Sequence, residues 1–583
     1  MFNTLLKTDF YKCCHMLQYD NSVTHFTSYL TPRNSRFKTI DKMVFFGLSN
    51  FIQKYLVEDF NTTFFNRDFP SIKKEFEEVL RDGLLYDEEL VNKTLTKVSQ
   101  LHTLGYLPIE INALPEGTLC PMGVPAIEIR STHKDFAWVA QAIESLLSCS
   151  IWHPCISATI AHEYAKIASA AYTKTVDNGN YKNGCCDFSL RGQESYESAL
   201  ISGVAFLTSF NNCSTVEARE LIRTTYSDKE ITNVFGLTST EHSVMCTDMA
   251  IYNNEEHIIK KLLTDTYRNV NFSLVADSRD FWNVVTNILP SLRKEIEAHN
   301  GFIGIRHDSD EPVHALCGIK SINLNKILCG EPEVNNFEDF ESLVYEIVND
   351  DLHFDEVEEV YFEYKFKDIT YKGVFDIIPY VESYDHKGRE WIAYETTFLR
   401  EERTPEDKGM VESLYELFGG YTNSKGYKVM NPKLKAVYGD SITIPRAKEI
   451  YKRLEEKGFA ANNVSLGVGS FSMECLEEDG VLKPFTRDSF SIAVKATYCI
   501  YNDNGEEKEI FIYKDPKGCS GKKSLKGLCR VVEDYKEIKV VQELNQQQYD
   551  VLKPASLFVN YFKDGNVNKY SFKDIRSRME ENV

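Results

Sequence analysis

Short apolar stretches alternate with segments of helical periodicity along most of the chain. Strand-like runs occupy residues 107–114, 271–277, 301–308, 434–440 and 462–470. Helical patterns occupy residues 136–149, 156–172, 194–210, 280–299 and 444–457. Alternation of this kind predicts an α/β fold in which helices connect parallel strands.

Four of the predicted strands end in polar or glycine residues. The ends are Asp277, Arg306 with Asp308, Gly439 with Asp440, and the glycine-rich residues 467–470. Because an α/β barrel presents the carboxyl ends of its strands at one mouth, these residues would converge there. The alternative is that these are the polar residues that ordinarily follow buried strands. Four strand ends with complementary chemistry favour a functional site.

Residues 318–407 differ from the rest of the chain. They begin with an acid-rich segment and then alternate apolar and polar residues from Val360 to Lys367. This alternation predicts a hairpin with one face in water. We interpret residues 318–407 as a small folded insertion between two strands of the barrel.

The composition is that of a folded, acidic protein. Of the 583 residues, 43% are hydrophobic and 26% are charged, which is sufficient for a full-sized core. The formal net charge of −21 argues against a nucleic-acid binder, although a local basic pocket can still bind small anions. The fifteen cysteines include no Cys-x-x-Cys pair, and no apolar run reaches the length of a membrane span. We therefore expect a cytoplasmic protein with reduced thiols and no membrane or nucleic-acid partner.

A set of short motifs occurs in a defined order along the chain. The motifs are residues 8–12 (TDFYK), 107–117 (LPIEINALPEG), 187–192 (DFSLRG), 241–243 (EHS), 277–280 (DSRD), 306–309 (RHDS), 439–440 (GD), 486–488 (TRD) and 570–572 (YSF). This ordered set closely resembles that of the nicotinamide phosphoribosyltransferases, which are type II phosphoribosyltransferases. The resemblance covers residues 3–578 apart from the insertion.

The resemblance implies a fold, an assembly and a reaction. A type II phosphoribosyltransferase α/β barrel, residues 1–24 and 147–483, would carry the insertion. A second α+β domain, residues 25–146 and 484–583, would contribute to active sites shared between the subunits of a homodimer. The implied reaction converts nicotinamide and phosphoribosyl pyrophosphate to nicotinamide mononucleotide and pyrophosphate in NAD salvage. Mg²⁺ as cofactor and ATP as co-substrate are implied with it.

The resemblance assigns the catalytic centre to four residues. His242 would be phosphorylated by ATP, and Glu241 would orient its imidazole. Asp308, with Asp440, would face the ribose hydroxyls, while Asp277 would orient the site. Asp277 and Asp308 would also hold Mg²⁺, because magnesium prefers oxygen ligands and substrate phosphates. Carboxylates suit the positive charge that develops on the ribose as its bond to pyrophosphate breaks.

Aromatic and polar side chains would hold the base. Phe188 would stack on one face of the pyridine ring, and Tyr11 of the other subunit would stack on the opposite face. Asp9, in the same motif as Tyr11, is assigned to the base site as well. Arg306 would bind the carboxamide oxygen, with Ser273 nearby. Without its motif, Phe188 would be interpreted as a core residue.

Basic residues and a glycine-rich turn would bind the ribose and the phosphates. The residues are Arg191, Asp440, Gly439, Gly469, Ser470, Arg487, Lys495 and Lys514, and the last three are expected to come from the neighbouring subunit. Ser470 stands where the family has a third glycine. Lys522 and Lys523 lie in a Gly/Lys-rich loop that is either a solvated charge run or a loop that contacts phosphate.

One departure from the family pattern concerns the base. Ser214 stands where nicotinamide enzymes have an aspartate that accepts a hydrogen bond from the amide, and related nicotinate enzymes tend to carry serine there. An aspartate repels a carboxylate substrate, whereas a hydroxyl both donates and accepts. Nicotinamide remains the predicted substrate, with nicotinate or both bases as the alternative.

Two further hypotheses remain. A catalytically inactive binding relative would be expected to have lost at least one residue of the predicted site. The sequence retains His242, Asp308, Arg306, Arg191 and Asp440, which argues against this hypothesis. An unrelated α/β-barrel enzyme that binds phosphate would leave residues 8–12 without a role.

Overall fold

The computed structural model describes residues 2–228, 230, 233–384, 390–514 and 524–583, so Lys522 and Lys523 lie outside the described residues. The chain forms two compact units. The first comprises Met1–Glu163, Ser189–Val234 and Ser470–Val583, and the second comprises Tyr164–Phe188 and Phe235–Gly469. One boundary falls within the long helix Glu144–Thr175. The domain limits predicted at residues 24, 147 and 483 differ from the limits of these two compact units, and they stay a prediction.

The second unit contains a parallel sheet built from the predicted strand runs. Its strands lie in the order Cys185–Asp187, Val464–Val468, Leu434–Tyr438, Ile303–His307 and Phe272–Val275. Every residue of the strands Phe272–Val275 and Val464–Val468 is buried. Continuous apolar runs of this kind are typical of parallel strands that are covered on both faces. The predicted parallel α/β arrangement is therefore confirmed.

Crossover helices set the direction of these strands. Helix Ile444–Glu456 follows strand Leu434–Tyr438, and its buried residues Ala447, Ile450 and Leu454 recur at helical spacing. The Thr443 side chain accepts a hydrogen bond from the amide of Arg446 and so begins the helix. Because each crossover returns the chain to the start of the next parallel strand, all the strands end at the same edge of the sheet.

The insertion forms a subdomain of the second unit. Its sheet has the strand order Lys320–Asn323, Glu358–Phe366, Ile369–Tyr384 and Glu390–Arg400. The second and third strands pair antiparallel, which confirms the predicted hairpin. Alternate residues of Glu358–Phe366 pack with the helix Phe337–Asp350 in one apolar core. The two ends of the insertion meet where the amide of Ile319 donates to the carbonyl oxygen of Asp407, at 3.0 Å.

The first unit contains an antiparallel sheet. Its seven strands lie in the order Glu506–Phe511, Ala493–Asp503, Val23–Thr31, Ile127–Ser131, Ile109–Ala113, Val559–Lys563 and Asn566–Val567. Strands from the C-terminal part of the chain flank three strands from the N-terminal part on both sides, so residues near 25 and near 500 become neighbours. The run predicted at residues 107–114 corresponds to strand Ile109–Ala113.

The remaining elements complete the two units. Further helices of the first unit are His15–Gln18, Leu48–Phe51, Phe69–Glu78, Glu88–Leu104, Val139–Ala142, Tyr196–Phe206, Val216–Thr225, Phe471–Glu474, Gln546–Val551 and Phe572–Glu580. Its further strands are Lys42–Phe45, Thr118–Pro121, Asn212–Cys213, Cys475–Glu478, Val481–Pro484, Leu528–Asp534 and Glu537–Leu544. The second unit also contains helices His242–Tyr252, Glu255–Lys261, Phe281–Asn283, Leu289–Ser291, Arg293–Ala298, Pro312–Cys317 and Pro405–Phe418, and strands Gly420–Thr422 and Lys428–Met430. Within the described part of the chain, none of the helices has the length and apolar character needed to cross a membrane.

Gly409 provides a test of the junction at the base of the insertion. Its φ is +78°, and a Cβ atom added there would lie 2.3 Å from the amide nitrogen of Gly318. We expect Gly409→Ala to lower the free energy of unfolding by about 2–4 kcal/mol, because overlap adds to the strain of a left-handed backbone. Urea denaturation followed by circular dichroism measures this loss.

Gly419→Ala is the matched control for this variant. Gly419 has a φ of +73°, but an added Cβ would meet no described atom within 4 Å. Only the backbone strain, about 1 kcal/mol, should appear in this control. Equal losses in the two variants would show that the close approach at the junction contributes nothing.

Candidate active site

The carboxyl ends of the parallel strands bring the predicted residues together in the second unit. Asp277 follows strand Phe272–Val275, and Asp308 follows strand Ile303–His307, which itself contains Arg306. Asp440 follows strand Leu434–Tyr438. Helix His242–Tyr252 begins beside these ends, because the imidazole of His242 contacts Asp277. We call His242, Asp277, Arg306, Asp308 and Asp440 the strand-end ring.

The carboxylate of Asp277 joins three segments of the ring. It accepts hydrogen bonds from the amide of Asp308 at 3.0 Å and from the hydroxyl of Ser309 at 2.6 Å. Its other oxygen lies 3.2 Å from Nε2 of His242, and its side chain is only 3% exposed. Burial raises the pKa of Asp277, but these hydrogen bonds and the charges of His307 and His242 outweigh burial and leave the pKa below its ordinary value. Asp277 is therefore ionised at neutral pH.

Arg306 is held at the centre of a polar chain. Its guanidinium donates to the hydroxyl of Ser239 at 2.7 Å and to Asp308 at 3.1 Å. The hydroxyl of Ser239 in turn lies 2.8 Å from that of Ser273, so the predicted proximity of Ser273 to Arg306 is seen as a bridge through a third residue. Nε of Arg306 is buried and has no hydrogen-bond partner among the described residues. This donor can bind an acceptor on a ligand.

Ser239 was not among the predicted site residues. The sequence feature that could have indicated Ser239 is its place in the polar segment GLTSTEHS, two residues before Glu241. That signal does not separate Ser239 from its neighbours Thr238 and Thr240, because the sequence does not show which hydroxyl faces Arg306.

Two glycines at the strand ends make room for carboxylates. A Cβ atom at Gly439 would lie 1.9 Å from an oxygen of Asp308, and one at Gly469 would lie 2.0 Å from an oxygen of Asp440. The same Asp440 oxygen accepts a hydrogen bond from the amide of Ser441. These glycines therefore have a packing role that is independent of the predicted contact with phosphate.

The partner of His242 differs from the one that the sequence predicts. Glu241 precedes the helix His242–Tyr252 with an extended backbone, and its carboxylate accepts a short hydrogen bond from the hydroxyl of Ser243. The imidazole of His242 instead contacts Asp277, which follows the strand Phe272–Val275. Asp277 therefore makes the contact that was predicted for Glu241.

The ring could hold a cation. One ligand atom each from His242, Asp277 and Asp308 lie within 4.8 Å of one another. One carboxylate oxygen of Asp308 is buried and, among the described residues, has no hydrogen-bond partner. The two carboxylates fit the oxygen preference of Mg²⁺, whereas the imidazole nitrogen is a less typical magnesium ligand.

Other predicted residues lie on the first unit around Glu144. The carboxylate of Glu144 binds Lys12 in a short contact and lies 3.9 Å from the ammonium of Lys495. Burial lowers the pKa of Lys495, and the nearby cations Arg33, Lys12 and Lys514 act in the same direction against the opposing charge of Glu144. Glu144, which the sequence did not indicate, therefore anchors a basic region.

Tyr11 extends from the same region. Its side chain is 63% exposed, and the negative charge of Asp9 raises its pKa while Arg487 opposes this effect. Asp9 itself accepts a hydrogen bond from the hydroxyl of Ser145 at 2.6 Å. We call Tyr11, Arg487, Lys495 and Lys514 the basic surface of the first unit.

The remaining predicted residues lie in loops of each unit. Phe188 of the second unit is half-buried, and its amide donates to the carbonyl oxygen of Val468 at 2.9 Å. In the first unit, Arg191 is exposed, and the adjacent Gly192 touches Ser470, since an added Cβ would lie 2.1 Å from the serine hydroxyl. Ser214 is partly buried directly after strand Asn212–Cys213. The roles assigned to all these residues stay predictions.

Comparison with known proteins identifies the family. A model of the nicotinate phosphoribosyltransferase (NAPRTase) family matches residues 184–375 and 397–551, and a model of the nicotinamide phosphoribosyltransferase N-terminal domain matches residues 3–111. The chain belongs to the nicotinate phosphoribosyltransferase family. Membership of this phosphoribosyltransferase family confirms the resemblance and the class of enzyme that were predicted from the motifs.

Individual relatives agree with this assignment. A nicotinamide phosphoribosyltransferase of Acinetobacter baylyi is 31% identical over 577 residues, which cover 96% of this chain and 94% of the relative. One of Mycoplasma pneumoniae is 26% identical over 496 residues, covering 82% and 86% respectively. The crystal structure of nicotinate-nucleotide pyrophosphorylase from Pyrococcus furiosus matches with a TM-score of 0.50 at 12% identity, covering 99% of this chain and 95% of that chain. This structural likeness supports the type II phosphoribosyltransferase fold.

Gly439→Ala tests the geometry of the candidate site. The added methyl group should displace the carboxylate of Asp308, and misplacing a catalytic group by about 1 Å can reduce the rate about 100-fold. We therefore expect kcat/KM for phosphoribosyl transfer to fall about 100-fold, with an unfolding midpoint close to that of the wild type.

Gly236→Ala is the control, because it adds the same methyl group elsewhere in the second unit. An added Cβ at Gly236 would meet no described atom within 4 Å, so its activity should stay close to that of the wild type. Full activity in Gly439→Ala would show that Asp308 does not need its present position.

Proposed function

We propose that this protein is a nicotinamide phosphoribosyltransferase that acts in NAD salvage. The observation that carries the proposal is the strand-end ring, in which carboxylates and a guanidinium lie close together. The chain that contains this ring belongs to the nicotinate phosphoribosyltransferase family. Relatives named nicotinamide phosphoribosyltransferase, which match over most of this chain, support the choice of base. A cytoplasmic location belongs to the proposal and rests on the composition alone.

The proposed reaction breaks the bond between C1 of the ribose and the pyrophosphate oxygen. The pyridine nitrogen of the base forms the new bond to C1, and pyrophosphate leaves with the electron pair of the broken bond. Asp308 and Asp440 would stabilise positive charge on the ribose, because fixed carboxylates act most strongly where charge develops in the transition state. Nε of Arg306, which has no hydrogen-bond partner among the described residues, would bind the carbonyl oxygen of the carboxamide.

Mg²⁺ would be held by Asp277 and Asp308 and would neutralise the phosphates of the substrate when bound. The carboxylate oxygen of Asp308 that has no partner among the described residues supports this assignment. Asp277 would keep its contacts with Asp308 and Ser309 and so hold the ring in place around the cation.

A homodimer would complete the site. The exposure of Tyr11 and the grouping of Arg487, Lys495 and Lys514 around it support a role for the basic surface at a neighbouring molecule. In this proposal Tyr11 stacks on the base opposite Phe188 of the partner subunit, and the cations bind the phosphates.

ATP coupling through His242 is the remaining part of the proposal. The imidazole is 49% exposed, and its Nε2 lies 3.2 Å from Asp277. A carboxylate on one ring nitrogen fixes the tautomer and raises the nucleophilicity of the imidazole. His242 would accept the phosphoryl group of ATP, and hydrolysis of the phosphohistidine would drive synthesis of the mononucleotide.

Ser214 favours a second candidate, nicotinate phosphoribosyltransferase or an enzyme that uses both bases. A hydroxyl can donate to a carboxylate or accept from an amide, so a serine loop does not reject nicotinate as an aspartate would.

The test of the proposed function supplies each base separately with phosphoribosyl pyrophosphate, Mg²⁺ and ATP. We expect nicotinamide mononucleotide as the main product, separated and quantified by chromatography. In Ser214→Asp, use of nicotinate should fall at least about tenfold relative to nicotinamide, because a buried like-charge contact costs several kcal/mol. Consumption of nicotinate alone would make the second candidate correct, and consumption of neither base would refute phosphoribosyl transfer to a pyridine.

His242→Asn tests ATP coupling. We expect ATP hydrolysis and the stimulation of mononucleotide synthesis by ATP to be lost, because the amide cannot accept a phosphoryl group. The control is His257→Asn, since His257 is 40% exposed and lies 2.9 Å from the carboxylate of Asp248 outside the ring. Full ATP stimulation in His242→Asn would remove His242 from its proposed role.

A further inference from the structure

A large polar cavity lies where the insertion meets the rest of the second unit. Its volume is about 560 Å³, within the range of about 300–1,000 Å³ that small-molecule sites commonly enclose. The insertion contributes strand Lys320–Asn323, the loop at residues 352–354 and strand Glu358–Phe366. The other wall is formed by helix Pro405–Phe418 and the end of helix Ile444–Glu456. We call this space the insertion cavity.

The insertion cavity lies at the opposite edge of the parallel sheet from the strand-end ring. Helix Ile444–Glu456 begins after the carboxyl end of strand Leu434–Tyr438 and returns the chain toward the start of strand Val464–Val468. Lys428 precedes the strand that contains Ala436, and its amide donates to the carbonyl oxygen of Gly458, just after that helix. The cavity is therefore separate from the strand-end ring.

Cations outnumber carboxylates two to one among the described residues that line the cavity. The six cationic residues are Lys320, Lys326, Arg403, Lys428, Lys452 and Lys457. The three carboxylates are Glu363, Glu412 and Glu456. This excess of positive charge stands out in a protein whose formal net charge is −21.

The cavity floor contains a buried cluster with more cations than anions. Arg403 donates to both oxygens of Glu412, at 2.9 and 2.6 Å, and the ammonium of Lys457 lies 3.2 Å from the same carboxylate. The Lys457 side chain is only 7% exposed, and burial lowers its pKa. Two cations thus share one carboxylate in a partly desolvated position, where charges are weakly screened.

Three lysines of the wall remain available to an anion. Among the described residues, neither Lys326 nor Lys428 forms an ion pair, and Lys428 instead lies 5.0 Å from the ring centre of Phe459. The ammonium of Lys452 reaches carboxylates only at 3.8 and 3.9 Å, which is too long for a hydrogen bond. Their charges are thus not neutralised by close carboxylates.

We propose that the insertion cavity binds a small anion that carries phosphate. Phosphate groups combine multiple charge with many acceptor oxygens, which suits several converging ammonium groups. The volume accommodates inorganic pyrophosphate or a mononucleotide, and the two share the phosphate chemistry that the lysines recognise. The proposal does not depend on the reaction at the strand-end ring, because the lining residues take no part in it.

Equilibrium dialysis with two labelled probes, inorganic pyrophosphate and AMP, tests the proposal on the full chain. The cavity variant is Lys326→Glu with Lys452→Glu. The control variant is Lys294→Glu with Lys448→Glu, which makes the same charge change at exposed lysines outside the cavity. We expect at least one probe to lose a binding site, or at least about tenfold in affinity, in the cavity variant only.

The two probes distinguish the sources of phosphate. Tighter binding of AMP would indicate a nucleotide, and equal or tighter binding of pyrophosphate would indicate an inorganic anion. Unchanged binding of both probes in the cavity variant would overturn the proposal and leave the cavity as a solvated lysine-rich cleft. An equal loss of affinity in the control variant would also overturn the proposal, because the loss would then result from the change in net charge and not from the cavity.

A neutral pair of substitutions guards against misfolding. Lys326→Gln with Lys452→Gln should weaken binding by a smaller factor than charge reversal, with an unfolding midpoint close to that of the wild type. Phosphoribosyl transfer measured without added probe should be unchanged in all these variants. If the wild type transfers no phosphoribosyl group and probe binding is still lost in the cavity variant only, the proposed function is refuted and the cavity site is supported.

Discussion

The buried carboxylate of Asp277 determines the geometry of the strand-end ring. Removing a charge from water costs several kcal/mol unless hydrogen bonds replace the lost hydration. The amide of Asp308 and the hydroxyl of Ser309 supply those bonds, and His242 contacts the second oxygen. The pKa of Asp277 lies below its ordinary value, so these interactions more than offset burial. The positions of Asp308 and His242 therefore follow from the need to satisfy one buried charge.

The ring depends equally on glycines, which have no side chain to occupy the space beside the carboxylates. Gly439 and Gly469 lie against carboxylate oxygens, and a Cβ atom at Gly467 would lie 2.5 Å from the carbonyl oxygen of Gly439. Adjacent parallel strands thus approach closely at their carboxyl ends, and only glycine leaves space there for Asp308 and Asp440. The glycine-rich loop would be required by packing even in a relative that bound no phosphate.

The sequence predicted the edge of the sheet at which the candidate site lies, because short apolar runs with polar ends are local features. It also predicted the hairpin of the insertion, whose alternation is visible in a few residues. It did not predict that Asp277 contacts His242, or that Ser239 joins Arg306 to Ser273, since those contacts connect distant segments. The insertion cavity was hidden for the same reason, because its cations come from segments spread over more than a hundred residues.

The charges of the ring bear on how the proposed reaction would bind phosphate. The ring contains three carboxylates, those of Asp277, Asp308 and Asp440, and one guanidinium, that of Arg306, which already donates to Asp308 and to Ser239. An excess of carboxylates suits a ribose that becomes positive, but it repels pyrophosphate. In the proposed reaction, Mg²⁺ and the basic surface of Arg487, Lys495 and Lys514 would supply the positive charge that the ring lacks.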